Sequence, residues 1–277
     1  MPDGDSIHRV AGVLRPLLVG TALRGVRIEG VVRAELEGAT VTAVTPLGKH
    51  MMIDVDRGWQ VRVHLGMYGR WRRYRAPRTA PAAASLVLIT ATDEITCLRA
   101  RDVELTARRD PRRSRALAAL GPDLLADDFD PAVAAARART TGATPIGVVL
   151  LDQRVAAGIG NVYKSEVLWL EQQSPFTPTA ALTDERLIAL YVRARALMRA
   201  NLGRGPRVTR SGPGVGPRGG RSPDERYWVY DRARRPCPRC HAAIATVVQG
   251  VQLRRTYYCP TCQPDVPAAP PAAPTAA

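Results

Sequence analysis

The chain has 277 residues, 45% of them hydrophobic, with 40 Lys plus Arg against 25 Asp plus Glu and a formal net charge of +15. That length admits two domains, and that apolar content excludes an intrinsically disordered chain. The charge calls for a polyanionic partner, most simply nucleic acid. No apolar run approaches the roughly 18 residues of a membrane span. The start, Met1-Pro2-Asp3-Gly4-Asp5, lacks the basic and apolar regions of an export signal, so a reducing cytoplasm is the expected compartment.

The positive charge is clustered. Arg70, Arg72, Arg73, Arg75 and Arg78 form one group; Arg108, Arg109, Arg112, Arg113 and Arg115 form another. A solvated basic surface, or nonspecific RNA affinity, gives the same pattern. One count is sharper: only Lys49 and Lys164 are lysine, leaving 38 arginines. Where arginine is used almost everywhere, a persisting lysine marks a place that wants what arginine cannot do, such as giving up its proton.

In chain order, residues 5–19 place Ile7, Val10, Ala11, Leu14, Leu17 and Leu18 at helical spacing. Asp3 or Asp5 is placed to cap the helix start, and Pro16 should kink or shorten it. From about 22 to 107 the signals are short and strand-like: Thr40–Thr45, His50–Val55, Gln60–Leu65, Ser85–Thr90 and Glu94–Leu98. Gly, Pro and Asp punctuate them, as in an antiparallel sandwich or barrel, and Cys97 reads as a buried strand residue. After Arg108 helical segments dominate: Pro131–Arg139, Pro145–Asp152, Val162–Leu170 and Thr183–Leu202. Gly203–Arg226, rich in Gly, Pro and Arg, lacks an apolar period and reads as a mobile loop. From Arg204 through Arg235 nine arginines face three acids, a further polyanion contact. The Pro/Ala-rich tail Pro264–Ala277 reads as disordered.

Two motifs carry chemistry. Cys237-Pro-Arg-Cys240 and Cys259-Pro-Thr-Cys262 are separated by eighteen residues, the spacing of a tetrahedral zinc site. Two disulfides in a secreted protein are the alternative, and the start of the chain argues against it. The segment between holds Leu253-Arg254-Arg255-Thr256-Tyr257-Tyr258, an arginine-bearing hairpin stapled by metal. The second motif, Asp152 to Lys164, contains Gly158-Ile159-Gly160-Asn161 between two helical segments. Free amides at a helix start bind phosphate, so a helix–two-turn–helix clamp on a DNA backbone is one reading; a C-cap followed by an N-cap is the other.

Taken together, Met-Pro-Asp-Gly-Asp at the start, Leu47-Gly48-Lys49-His50, His64-Leu65-Gly66-Met67-Tyr68-Gly69, the 151–164 element and Arg254…Cys259-Pro-Thr-Cys262-Gln263 resemble the formamidopyrimidine-DNA glycosylase/endonuclease VIII family over residues 2–263. Gly4-Asp5-Ser6-Ile7-His8-Arg9 and Arg226-Tyr227-Trp228-Val229-Tyr230 are similar to the endonuclease VIII-like branch. The resemblance implies an α+β multidomain fold: an N-terminal helix plus β-sandwich (1–115), a helix–two-turn–helix domain (116–203), a connector loop (204–231), a zinc ribbon (232–264) and a tail (265–277). It implies a monomeric enzyme of base-excision repair that acts on damaged double-stranded DNA carrying oxidised bases or abasic sites. One structural Zn2+ and no redox or nucleotide cofactor are expected, as is a place in the cytoplasm on the nucleoid.

It also implies roles. With Met1 removed, Pro2 is the amine nucleophile and Asp3 the acid. Lys49 contacts phosphate and assists proton transfer. Met67 fills the hole left by the extruded nucleotide, although a core methionine is the plain alternative. Asn161 clamps DNA, Arg254 grips the phosphates flanking the lesion, and Arg255 adds a contact. Cys237, Cys240, Cys259 and Cys262 hold the metal. Asp3 is a departure, because the family pattern has glutamate there. The shorter arm either still serves, shares the role with Asp5, or leaves a lyase with weak glycosylase activity. A non-catalytic damaged-DNA-binding protein is the remaining alternative.

Overall fold

The computed structural model describes residues 2–75, 81, 84–110, 118–210 and 222–265. Arg78, Arg112, Arg113, Arg115, the 211–221 part of the Gly/Pro/Arg-rich stretch and tail residues 266–277 lie outside the described residues. The chain forms two compact units that interleave in sequence: Met1–Phe129 with Ala156–Gly160 and Arg195–Arg204, and Asp130–Val155 with Asn161–Ala194 and Gly205–Ala277.

The first unit opens with α1 (Gly4–Leu18), which buries Ile7, Ala11, Leu14 and Leu18 along one stripe. The helix runs through Pro16 and ends two residues later, with Arg15 in its last turn. Asp3 occupies the N-cap position, but its side chain makes no capping hydrogen bond; its carbonyl accepts the Ser6 N–H instead. Of the two cap candidates, Asp3 or Asp5, the first sits at the N-cap without using its carboxylate and the second lies inside the first turn.

Two antiparallel sheets enclose the core. One has the order β2-β1-β7-β8-β6, built from β1 (Gly25–Ile28), β2 (Val31–Val32), β6 (Arg70–Arg75), β7 (Ala84–Ile89) and β8 (Asp93–Leu98). The other, β3-β4-β5-β9, contains β3 (Val41–Leu47), β4 (His50–Val55), β5 (Trp59–His64) and β9 (Asp102–Ala107). Val41, Val44, Met51, Ile53, Val61 and Val63 meet Leu86, Leu88, Ile95 and Cys97 in one cluster with the α1 stripe. Each such side chain contributes about 1.5–3 kcal/mol on burial. Strands β1, β2, β6 and β9 lacked a readable sequence signal. β6 is Arg-Trp-Arg-Arg-Tyr-Arg and sits at a sheet edge, where charge is tolerated.

The second unit is helical. Its helices among the described residues are α2 (Pro131–Arg139), capped by the Asp130 carboxylate accepting the Ala132 N–H, α3 (Ile146–Val149), α4 (Asn161–Leu170), the start of α5 (Asp184–Ala200) and the single turn α6 (Pro223–Arg226). α3 is shorter than the 145–152 expected. Strands β10 (Ala245–Gln249) and β11 (Arg254–Tyr258) pair as a hairpin. Fully buried Glu166 on α4 accepts the N–H groups of Trp228, Val229 and Tyr230 and bonds Thr209. Burial pushes its carboxyl pKa up, opposed by those hydrogen bonds. The described parts of 203–226 are thus held: Thr209 and Arg210 donate their N–H groups to the Arg226 carbonyl, contrary to a loop mobile throughout.

Candidate active site

The chain's second residue sits half-buried at the entrance to α1, and Asp3 beside it is 0% exposed. The Asp3 carboxylate packs on the backbone of Gly160: a Cβ there would stand 1.6 Å from Oδ1 and 2.4 Å from Cγ. The next residue, Gly4, donates its N–H to the Gly158 carbonyl at 2.9 Å. A Cβ on Gly4 would meet Met198 Cε at 2.9 Å, Gly158 Cα at 3.0 Å and the Gly48 carbonyl at 3.3 Å. Gly4, Gly48, Gly158 and Gly160 therefore allow the N-terminus, the 156–160 segment and the β3–β4 turn to close on one another around the Asp3 carboxylate.

Lys49 lies in that turn. Leu47 pairs with His50, so Gly48-Lys49 is a two-residue hairpin loop with Gly48 at φ +55°. Buried Asp123 holds the turn: Oδ2 accepts the Gly48 N–H at 2.8 Å, Oδ1 accepts the Leu125 N–H at 2.9 Å, and His8 Nε2 approaches Oδ2 at 3.6 Å. Lys49 itself is 5% exposed. Asp5 is buried within α1.

Next to Lys49 two imidazoles meet, His50 and His64, with ring centroids 4.8 Å apart. Burial lowers the His50 pKa to about 4, helped by His64 and Arg62. Burial, Arg101 and Lys49 bring His64 to about 4 as well. Both rings are neutral at physiological pH. Arg62 Nη1 lies 3.2 Å from His50 Nδ1, which makes that nitrogen the acceptor, and Arg62 also pairs with Asp102 and Glu104. Met67 follows in the β5–β6 turn and is 54% exposed, which rules out the core reading.

The second unit carries the other residues. Asn161 is the first residue of α4, and its Nδ2 donates to the Arg255 carbonyl at 2.6 Å. Arg254 is the first residue of β11, paired across the hairpin with Gln249, and Arg255 is exposed. The Sγ atoms of Cys237, Cys240, Cys259 and Cys262 all lie within 4.8 Å of one another, with Cys237–Cys262 at 3.9 Å and Cys240–Cys259 at 3.4 Å. Zn–S bonds of about 2.3 Å in a tetrahedron place sulfurs about 3.8 Å apart, so the four thiols fit a metal ion. Trp169 Nε1–H points at Cys237 Sγ (3.4 Å), and the amides of Arg239 and Cys262 point at Cys237 and Cys259 (3.5 Å each). Such donors suit thiolates.

Residues 1–115 match the model of the formamidopyrimidine-DNA glycosylase N-terminal domain, and residues 120–211 that of the formamidopyrimidine-DNA glycosylase H2TH domain. The chain is 37% identical over 269 residues to a probable endonuclease 8 2 of Streptomyces coelicolor, covering 95% of this chain and 94% of that protein. The chain belongs to the formamidopyrimidine-DNA glycosylase/endonuclease VIII family. Within the family it is endonuclease VIII-like, being also 36% identical to a DNA-(apurinic or apyrimidinic site) lyase Nei2 of Mycolicibacterium smegmatis, over 95% of this chain and 99% of that one. The fold matches that of Lactococcus lactis formamidopyrimidine-DNA glycosylase in complex with DNA containing N7-benzyl-Fapy-dG. The TM-score is 0.79 at 24% identity, over 95% of this chain and 100% of that one.

Sequence reasoning missed Asp123, whose only signal is its place after Gly121-Pro122, and Glu166, an acid one position inside an apolar helix face. It also missed why Gly158 and Gly160 are glycine: Gly158 has φ +116° and a Cβ there would stand 3.1 Å from Met198 Cε, while Gly160 lies against the Asp3 carboxylate. Among the described residues, no helix is long and apolar enough to cross a membrane.

Proposed function

We propose that this member of the family is a base-excision-repair DNA glycosylase and AP lyase acting on oxidised bases and abasic sites in double-stranded DNA. The observation that carries the reading is the N-terminal triplet, half-buried Pro2 followed by buried Asp3 and Gly4, closed against Gly158 and Gly160 beside the turn that bears Lys49.

After loss of Met1, Pro2 is a secondary amine with a pKa near 7.7–8.0, partly unprotonated at neutral pH. Its nitrogen attacks C1′ of the extruded nucleotide, forming a C–N bond as the bond to the base breaks. The departing base takes a proton, for which Asp3 is the donor. Opening of the sugar gives an iminium at C1′. Loss of a C2′ proton expels the 3′ phosphate, loss of a C4′ proton expels the 5′ phosphate, and water then releases Pro2. Lys49 holds the phosphate beside the lesion and assists proton transfer. Met67, exposed on its turn, fills the vacated stack. Asn161 has two N–H donors; one goes to the Arg255 carbonyl, leaving one for phosphate. Arg254 and Arg255 grip flanking phosphates.

The four cysteines hold one structural Zn2+, which fixes the hairpin without taking part in the chemistry. Residues 1–115, 116–203, 204–231 and 232–264 serve as the sandwich, helix–two-turn–helix, connector and zinc-ribbon parts of a monomer working on the nucleoid in the cytoplasm.

A second reading rests on Asp3 being one methylene shorter than the glutamate of the family pattern: the short carboxylate serves base release poorly, and the protein is chiefly an AP lyase. Borohydride trapping decides between enzyme and binder. An adduct on abasic duplex DNA is expected, with the DNA fragment found by peptide mapping on the Pro2 nitrogen; no adduct with the natural chain means a non-catalytic damage binder. Release of an oxidised pyrimidine, compared with nicking of an abasic site, separates the two enzymatic readings.

A further inference from the structure

Lys164 is one of only two lysines in a chain of 38 arginines, and no role above uses it. It is 0% exposed. Taking an ammonium out of water costs several kcal/mol, and a hydrocarbon of similar volume such as Met would avoid that cost. A charge kept in such a place suggests geometry rather than stability as its purpose.

The geometry is specific. Asn161, Lys164 and Ser165 stand at i, i+3 and i+4 on one face of α4. That face docks on three consecutive residues of β11. Asn161 Nδ2 donates to the Arg255 carbonyl (2.6 Å). Lys164 Nζ donates to Thr256 Oγ1 (2.7 Å) and approaches the same Arg255 carbonyl (3.4 Å). Ser165 Oγ accepts the Tyr257 N–H (3.2 Å). From Thr256 the chain of bonds continues: its hydroxyl donates to Gln249 Oε1 (2.6 Å), and Gln249 Nε2 donates to the Pro175 carbonyl (3.1 Å). Gln249 is the residue paired across the hairpin with Arg254. The bonds from Lys164 thus reach the residue opposite the proposed phosphate-gripping arginine.

We infer that Lys164 is a positioning residue: through Thr256 and Gln249 it fixes the register of the β10–β11 hairpin on α4, and so the place at which Arg254 meets DNA phosphate. A compact tetrahedral ammonium suits the job. A guanidinium is planar and larger, so arginine, used nearly everywhere else in the chain, is excluded here. The inference rests on the proposed phosphate grip of Arg254.

The test uses the full-length zinc-loaded protein and a duplex with a reduced, unreactive abasic site. Affinity is measured across salt concentrations for the natural chain, Lys164→Met, Arg254→Gln and the double variant, with Thr256→Val as a milder break of the same link. Zinc content reports whether the hairpin is intact. Losing one phosphate contact flattens the slope of log K against log salt by about 0.9. Lys164→Met and Thr256→Val are expected to flatten it as Arg254→Gln does, and the double variant to lose no more than Arg254→Gln alone. A lysine that merely stabilises the fold gives additive losses or an unchanged slope, and either result overturns the inference. An unchanged slope in Arg254→Gln overturns the phosphate grip itself, and the inference with it. Additivity with a flattened Arg254→Gln slope sinks only the role of Lys164.

Discussion

The carboxylate of Asp3 rests on Gly160 so closely that a methyl group at position 160 would stand 1.6 Å from Oδ1. No real contact is that short, so Gly160→Ala must displace Asp3 or the segment that carries Gly158. A shift of about 1 Å at a reacting group costs about 10²-fold in rate. Gly160→Ala is expected to lose about that much base release, and overpacking to cost about 1–3 kcal/mol of stability. Single-turnover release of an oxidised pyrimidine and a melting curve read the two effects separately.

Asp3→Asn keeps shape and removes the proton donor. General acid assistance is worth about 10²–10⁴-fold, so base release should fall within that range. Nicking of an abasic site needs no base expelled and should stay within several-fold of the natural chain. Asp3→Glu places an extra methylene where the side chain is fully buried and is expected to lower the melting temperature. Equal loss of both reactions in Asp3→Asn would mean that Asp3 acts on the Pro2 step and not on the leaving base.

The clustering of four cysteines follows from their spacing alone, and the first helix and the central strands from apolar periods of 3.6 and 2. What stayed hidden depends on contacts between residues distant in sequence. Asp123 bonds the Gly48 N–H across 75 positions, and nothing local to Asp123 announces a partner. β6 hid for a different reason: an edge strand of four arginines has no apolar alternation to read. Lys164 was visible only as an exception to composition, and its burial explains the exception.

The metal site gives a removal test. Cys237 and Cys259 are buried in a small cluster with Trp169, Val229, Ile244 and Tyr257. That cluster is small, so a metal ion bound by the four thiols would supply much of the hairpin's stability. Purified protein is expected to hold one zinc per chain, and Cys237→Ser to hold less. Stripping the metal with a strong chelator should weaken duplex binding at least as much as Arg254→Gln does. The sandwich, which has its own core, should keep its β-type circular dichroism.

The neighbouring imidazoles of His50 and His64 set an acid limit on stability. In the unfolded chain each imidazole titrates near 6.5, whereas in the folded protein burial and neighbouring cations hold both near pH 4. Between those values the unfolded chain binds more protons, so stability rises with pH through the window. The contribution is complete above about 6.5 and is lost as pH falls towards 4. Melting temperature should therefore drop steeply from pH 6.5 to 4.5. His50→Asn keeps an acceptor near the Nδ1 position for Arg62, and His64→Gln removes the second imidazole. The double variant should show a shallower drop across the same window, with the curves of the two proteins parallel above pH 7. An equally steep acid drop in that variant would mean that these two imidazoles do not set the acid limit.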